Sequence, residues 1–419
     1  MKPVKSLLLE YKFIFAFFVP FILVHVFYAA LVPWDPIAYL FQGKWFCGQK
    51  IYLEFLRAPL PGVINCLSGA GNYSTMISQL FSGFLYLAAT LFLYNKLKKT
   101  QAINQPLFAA FAFLFPTILM DVGSDVLALS FFLLALAIDS PWKKGFFYGL
   151  ATLSRYNYFL FAVVLLYQLK LKPKEWAKFA LPAFLLWLPW LWFNFAETGN
   201  AFFSLDEMLY LNVIQKGLAG GWSLEAIAVA AFFIIAVCLT GLRKNLSSGT
   251  VQLSLIGLLQ FAAISIKELR FFNAAVPAQA EMISRETDES KKYRGLFALL
   301  LVIFIAVFAL TTGGYFLSGG GVKEIPSNDF IRECAVMSDQ WVLFYPKGIV
   351  AEPLPGSDAF QYFLSEGYSL AISKNTKFDF SGLYGFEFVE AKDFLILKSG
   401  KCRPQPESYA LKVWRGAQQ

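Results

Sequence analysis

Apolar runs close to bilayer-spanning length recur through the first 317 residues of this 419-residue chain, and most are closed on one side by Lys and Arg. A helix needs about 20 apolar residues to cross the hydrocarbon core, and charges are costly within it. The composition leaves no soluble alternative. With 57% hydrophobic and only 15% charged residues, disordered, collagenous and nucleic-acid-binding chains are excluded. The fold class expected is a polytopic α-helical membrane protein.

The formal charge of +8 becomes topology once it is located. Basic clusters lie at Lys2 to Lys12, Lys96 to Lys99, Lys143 and Lys144, Lys170 to Lys178, Arg243 and Lys244, and Arg285 to Arg294. These connections hold about half of the Lys and Arg, which is the cytoplasmic excess of the positive-inside rule. Keeping each cluster inside predicts spans near 11–33, 75–94, 105–120, 124–139, 145–154, 157–169, 179–195, 223–242, 249–265, 271–284 and 295–317. Roughly eleven crossings, several of them short, put the N-terminus in the cytoplasm and the C-terminus outside. The first span lacks a cleavage site and is expected to be retained, and the expected location is the plasma membrane.

Charge placement decides the short segments. One helix over 145–169 would set Lys143 and Lys170 on opposite faces, so an out-and-back pair is expected, with Ser154-Arg155-Tyr156-Asn157 at its tip. The same argument sets Asp121 to Asp125 and Lys267 to Arg270 at outer tips. Charged, non-helical backbone at membrane depth is tolerated where it is buried in protein or lines a wet cavity, so three such tips suggest a cavity open to the outside.

The first outer loop, 34–74, opens with Asp35 at the end of the first span. Its residues Ile37, Leu40, Phe41 and Trp45 recur at near-helical spacing, as in a helix lying in the interface plane. Lys44, Lys50 and Glu54 read equally well as snorkelling charges on an ordinary loop. A second outer loop covers 196–222. Residues 1–317 are thus expected to form a membrane domain. From Ser318 the pattern changes to strands at 340–345, 368–373, 386–390 and 394–398 with a helix at 358–366, a small extracytoplasmic α/β domain over 318–419. Cys47 and Cys66 fall in the first outer loop and Cys334 and Cys402 in the tail, two pairs that an oxidising face would allow.

Asp35, the Tyr-x-Glu-x-x-Arg-x-Pro-Leu-Pro stretch of Tyr52 to Pro61, Asp125, Gly149-Leu150-Ala151-x-x-x-Arg155-Tyr156 and Lys267-Glu268-x-Arg270-Phe271 resemble the membrane glycosyltransferases of the GT-C superfamily. The similarity runs over essentially the whole chain. It is to the protein mannosyltransferase and aminoarabinose-transferase branch, particularly archaeal members with a small C-terminal outer domain. It implies transfer of a sugar from a polyprenyl-phosphate carrier, such as dolichyl phosphate mannose, to a hydroxyl on a glycan, lipid or protein acceptor. The family's first-loop acidic residue maps onto Asp35; Pro36 follows it where several members carry a second acid, and Ile266 stands where related motifs have His. The Trp-Trp-Asp-Tyr-Gly motif of oligosaccharyltransferases is missing from the sequence.

Elementary chemistry asks for the same groups. Attack by a hydroxyl needs a base, for which Asp35 is the candidate. The departing phosphate needs fixed positive charge, and Arg57, Arg155, Arg270 and Lys267 are the supply; the resemblance implies Glu54, Tyr156 and Glu268 as further substrate-binding residues. The arginines alternatively pair with Asp121, Asp125 or Glu268 to neutralise buried charge. Asp121 and Asp125 are also candidate ligands for Mg²⁺ or Mn²⁺. His25 and the Trp187, Trp190 and Trp192 cluster are read as packing residues. A lipid-linked-sugar transporter or flippase is the competing class; it would set ionisable groups near the bilayer midplane.

Overall fold

The computed structural model describes residues 9–31, 34–49, 53–71, 73–119, 124–169, 172–209, 249–263, 269–285, 288–317, 331, 333–347, 349–374, 380 and 382–404, together with isolated helical residues between 227 and 239. The helices are α1 (Lys12–Leu31), α2 (Trp34–Phe46), α3 (Leu60–Leu67), α4 (Ser74–Thr100), α5 (Gln105–Leu119), α6 (Ser124–Ala137), α7 (Pro141–Ser154), α8 (Ala162–Gln168), α9 (Pro173–Thr198), α10 (Phe203–Leu209), α11 (Gly249–Ala263), α12 (Val276–Ser284), α13 (Asp288–Leu317) and α14 (Phe360–Ser365). Tight 3₁₀ turns at Tyr156–Phe161, Leu269–Ala275 and Trp341–Lys347 interrupt them. Strands β1 (Val336–Ser338), β2 (Ala351–Pro353), β3 (Ser369–Ser373), β4 (Glu387–Glu390) and β5 (Phe394–Lys398) form one sheet. The chain divides into a helical unit (Met1–Leu31, Phe55–Pro61, Met76–Gly314) and a sheet unit (Val32–Glu54, Gly62–Thr75, Tyr315–Gln419).

The helical unit follows the expected spans closely, the 145–169 pair included. Helices α4 and α9, of 27 and 26 residues, are long and apolar enough to cross a bilayer, and shorter apolar helices accompany them. Their outward faces carry Phe81, Phe84, Phe92, Phe184, Leu188, Trp192 and Phe195, a surface suited to acyl chains rather than water. The basic flanks gather at one end of this unit, as alternation requires. There Lys96 pairs with Asp139 at 2.6 Å, Lys98 with Glu10 at 3.5 Å, and Lys144 reaches the Gln168 amide oxygen at 2.9 Å. The Lys96 ammonium, through its hydrogen bond, holds the Asp139 carboxyl below its ordinary pKa. His25 lies 3.2 Å from Ser82 Oγ and stacks on Phe21, an interhelical polar contact. The span expected at 223–242 falls mostly outside the described residues.

Helices α7 and α9 approach unusually closely because two glycines face α9. A Cβ on Gly145 would meet the Phe179 carbonyl oxygen at 1.9 Å, and one on Gly149 would meet Ala183 Cα at 2.9 Å. Small residues four apart are the usual device for bringing two membrane helices into backbone contact.

The sheet has the order β2-β1-β3-β5-β4, with β1 parallel to β2 and β3 and β5 antiparallel to β3 and β4. Side chains alternate along its strands, so each face has its own core. Met337, Leu370, Ile372 and Leu397 pack against Phe360, Phe363 and Leu364 of α14. Val336, Ala371, Phe394 and Ile396 pack on the other face with Trp341, Val342 and Phe344, and with Ile37, Ala38 and Phe41 of α2. The helix expected in the membrane interface plane therefore spends its apolar side inside the sheet unit, where Leu40 and Trp45 are buried as well. Burying each such side chain is worth about 1.5–3 kcal/mol, an alternative to lipid contact that requires no exposed apolar face.

The strand expected at 340–345 is a 3₁₀ turn instead. Trp341, Val342 and Phe344 are buried, a three-residue recurrence that fits the 3₁₀ repeat and breaks strand alternation. The short β1 and β2 were not legible in advance. Both cysteine pairs are disulfides within the sheet unit, Cys47–Cys66 and Cys334–Cys402, with Cα separations of 5.5 and 5.2 Å.

The α7–α9 contact gives a direct test. Gly145→Ala should destabilise by about 3 kcal/mol or more, the upper end of overpacking, because its obstacle is backbone. Gly295→Ala on α13, where a Cβ meets nothing within 4 Å, should be neutral or slightly stabilising. Thermal unfolding in detergent that ranked the two variants equal would refute the close approach.

Candidate active site

Two helix ends create a charged centre in the helical unit. Helix α7 stops at Ser154 because Arg155 takes an extended conformation, φ −159° and ψ 122°, before the 3₁₀ turn Tyr156–Phe161 begins. Helix α6 opens beside it with Ser124 and Asp125, an acidic residue in the first turn where the helix dipole favours negative charge. Arg155 Nε donates to Asp125 Oδ1 at 2.8 Å and Arg155 Nη1 donates to Ser124 Oγ at 3.0 Å. Asn273, on the 3₁₀ turn Leu269–Ala275, donates from Nδ2 to the same Asp125 oxygen at 3.0 Å and accepts the Tyr158 hydroxyl at 3.2 Å.

Exposure separates the partners. Asp125 is 0% exposed, whereas the Arg155 side chain keeps 14%. What this centre can offer a ligand it offers through the guanidinium, with the carboxylate serving as its anchor.

Tyr156 organises the adjoining layer. Its phenol oxygen accepts Trp190 Nε1 at 2.8 Å and lies 3.2 Å from both the Arg57 carbonyl oxygen and Ser204 Oγ. Ser204 also accepts Trp190 Nε1 at 3.0 Å, and its backbone N–H donates to Asn194 Oδ1 at 3.1 Å. Trp187 Nε1 donates to Thr152 Oγ1 at 2.9 Å. Two of the three tryptophans are thus buried and hydrogen-bonded, while Trp192 is 70% exposed on the outer belt. Through Tyr156 the Arg57 backbone is held one residue from Arg155. Through Asn273 the turn that contains position 270 is held to Asp125.

The remaining expected site residues divide as follows. Asp35 and Glu54 belong to the sheet unit. Asp35 is buried in the first turn of α2, again a position that favours a carboxylate, and Glu54 is half-buried. Asp121, Lys267 and Glu268 lie outside the described residues, as do residues 210–222 of the second outer loop. Of Arg270 only the backbone is described. Asn273, Tyr158 and Ser204 were not singled out in the sequence, and Trp190 was read only as packing; for Asn273 the available signal was its place one 3₁₀ turn after Arg270.

Of the two candidate metal ligands, Asp121 lies outside the described residues, and Asp125 Oδ1 accepts from a guanidinium and an amide N–H. Among the described residues, no group of three His, Cys, Asp or Glu side chains is placed to hold a metal.

No protein-family model and no curated protein sequence matches the chain. Among solved structures it is similar to ArnT from Cupriavidus metallidurans. The crystal structure of that protein bound to undecaprenyl phosphate gives a TM-score of 0.51 at 12% identity, covering 91% of this chain and 97% of that one. The crystal structure of its apo state gives a TM-score of 0.44 at 11% identity, covering 86% and 92%. At 12% identity the first likeness establishes a shared fold across nearly the whole chain.

The ion pair predicts non-additive mutations. Arg155→Ala strands a buried carboxylate and should cost about 3–5 kcal/mol, while Arg155→Ala combined with Asp125→Asn should recover much of that loss. Unfolding midpoints that simply added would contradict direct pairing.

Proposed function

We propose that the chain is a polyprenyl-phosphate-sugar-dependent glycosyltransferase acting at the extracytoplasmic membrane surface. The observation that carries this reading is the fold shared over 91% of the chain with a protein crystallised with undecaprenyl phosphate. The motif resemblance to GT-C enzymes and the anchored guanidinium of Arg155 support it independently. The donor proposed is a mannose-like sugar on a polyprenyl or dolichyl phosphate, and the acceptor is a hydroxyl of a glycan, lipid or protein.

In the proposed reaction the Asp35 carboxylate takes the proton of the acceptor hydroxyl as its oxygen attacks the anomeric carbon. The bond from that carbon to the phosphate oxygen breaks, and its electron pair leaves with the polyprenyl phosphate. Arg155, Arg57 and Arg270 supply the positive charge that the departing phosphate needs, guanidinium being suited to forked contact with its oxygens. Both disulfides fall in the sheet unit, which supports an oxidising, extracytoplasmic location for it and a cytoplasmic basic end for the helical unit.

The test is turnover of labelled polyprenyl-phosphate sugars by purified protein in liposomes with a panel of hydroxyl acceptors. Asp35→Asn keeps the size of the side chain and cannot accept a proton, so turnover should fall about 10²-fold or more with carrier binding retained. Movement of the labelled lipid between leaflets without release of its sugar would favour the transporter reading, and wild-type turnover by a folded Asp35→Asn protein would remove Asp35 as the base.

A further inference from the structure

We propose that Asn273 is a positioning residue that sets the carrier-phosphate site, presenting Arg155 through Asp125 and holding the Arg270 turn in register with it; this rests on the glycosyltransferase reading above. Asn273 is fully buried and both ends of its amide are engaged. Its orientation follows from chemistry. An ionised carboxylate only accepts, so Nδ2 faces Asp125, and the Tyr158 hydroxyl, which can donate, faces Oδ1.

The placement of this residue gives it reach beyond its own contacts. A 3₁₀ helix repeats every three residues, so position 270 lies one helical turn before position 273 in Leu269–Ala275. One carboxylate therefore ties together two arginine positions from distant parts of the chain, residue 155 by direct ion pairing and residue 270 through one helical turn. Forked recognition of phosphate by two guanidiniums depends on their mutual placement, which a 1 Å shift of the turn would spoil.

Among the described residues the charges around the amide are few, which makes a substitution readable. Asp125 comes from α6, Arg155 and Tyr158 from the segment after α7, and Tyr86 of α4 lies near enough to act on Tyr158. Arg270 is on the same turn. Helices α5 and α11 carry no ionisable residue, and the one in α12, Glu281, is bonded to Gln101 and Arg285. Asn273→Asp sets a second carboxyl against Asp125. When it holds a proton it donates to Asp125 and accepts Tyr158, as the amide does; when both carboxyls ionise they repel.

The experiment measures binding of undecaprenyl phosphate, and turnover of its sugar-loaded form, on folded protein in detergent across pH 5 to 9. Asn273→Ala should weaken undecaprenyl phosphate binding at least about tenfold at every pH, and Tyr158→Phe should weaken it less. Asn273→Asp should bind as wild type at the acid end and lose affinity relative to wild type as pH rises, beyond the change that the second ionisation of the ligand's phosphate gives both proteins. Should Asn273→Ala fail to fold, the Asp variant decides alone, since protonated it keeps each hydrogen bond. Wild-type affinity in the folded variants at all pH, with only the unfolding temperature lowered, would make Asn273 merely structural and overturn this proposal while the glycosyltransferase reading stands. Failure of the wild type itself to bind undecaprenyl phosphate or consume its sugar-loaded form would overturn that reading, and this proposal with it.

Discussion

An ionised group held away from water must be neutralised nearby, and the pairing of Arg155 with Asp125 is where the helical unit meets that requirement. The consequences run outward from it. Helix α7 ends at Ser154 so that Arg155 can turn toward α6, and α6 begins with Ser124 and Asp125 so that two acceptors meet the guanidinium. The 3₁₀ turn after Arg155 then sets Tyr156 and Tyr158 on two further networks, one reaching Arg57 and Ser204, the other Asn273. Short helices and broken backbone, expensive in an apolar solvent, are tolerated here because Arg155, Tyr156 and Tyr158 at the break each have partners in protein.

A second constraint governs the sheet unit. Five short strands cannot bury both faces of a sheet without cover on each. Helix α14 covers one face from within the tail. The other is covered by the Trp341–Lys347 turn and by α2, which comes from residues 34–46, with Phe41 and Trp341 rings 5.6 Å apart. The tail is thus completed by a segment some three hundred residues earlier, and the first-loop segment holding the candidate base is fixed by a folded core and by the Cys47–Cys66 disulfide rather than left as a mobile loop. A general base needs its carboxylate placed to within a few tenths of an ångström of the proton it takes, and a packed helix terminus can supply that.

Most of the helical unit was legible because two independent patterns, hydropathy and the sidedness of Lys and Arg, constrained the same segments. The break at Arg155 came from charge alone; hydropathy would have run one helix through 145–169. The strands at 369–373, 387–390 and 394–398 were legible from alternation. What could not be read were relations across long sequence separation. The face of α2 looks the same whether it meets lipid headgroups or a sheet, and only the partner Trp341 decides. Nor does an Asn in an apolar stretch announce that it will meet a carboxylate 148 residues away. Gly145 and Gly149 were visible as letters, but which helix they would admit was not.

These geometries also narrow the chemistry. A base must be reachable by the hydroxyl it deprotonates, yet Asp125 has no exposed surface and its Oδ1 accepts two donors. Asp125 is therefore suited to holding a cation still and unsuited to moving a proton. In the proposed reaction that makes Asp125 the anchor of a guanidinium, and the proton has to be taken by a carboxylate elsewhere. Asp35, at the start of α2 in the sheet unit, is the carboxylate proposed for it, with Glu54 the other acidic residue of that unit that the sequence singled out.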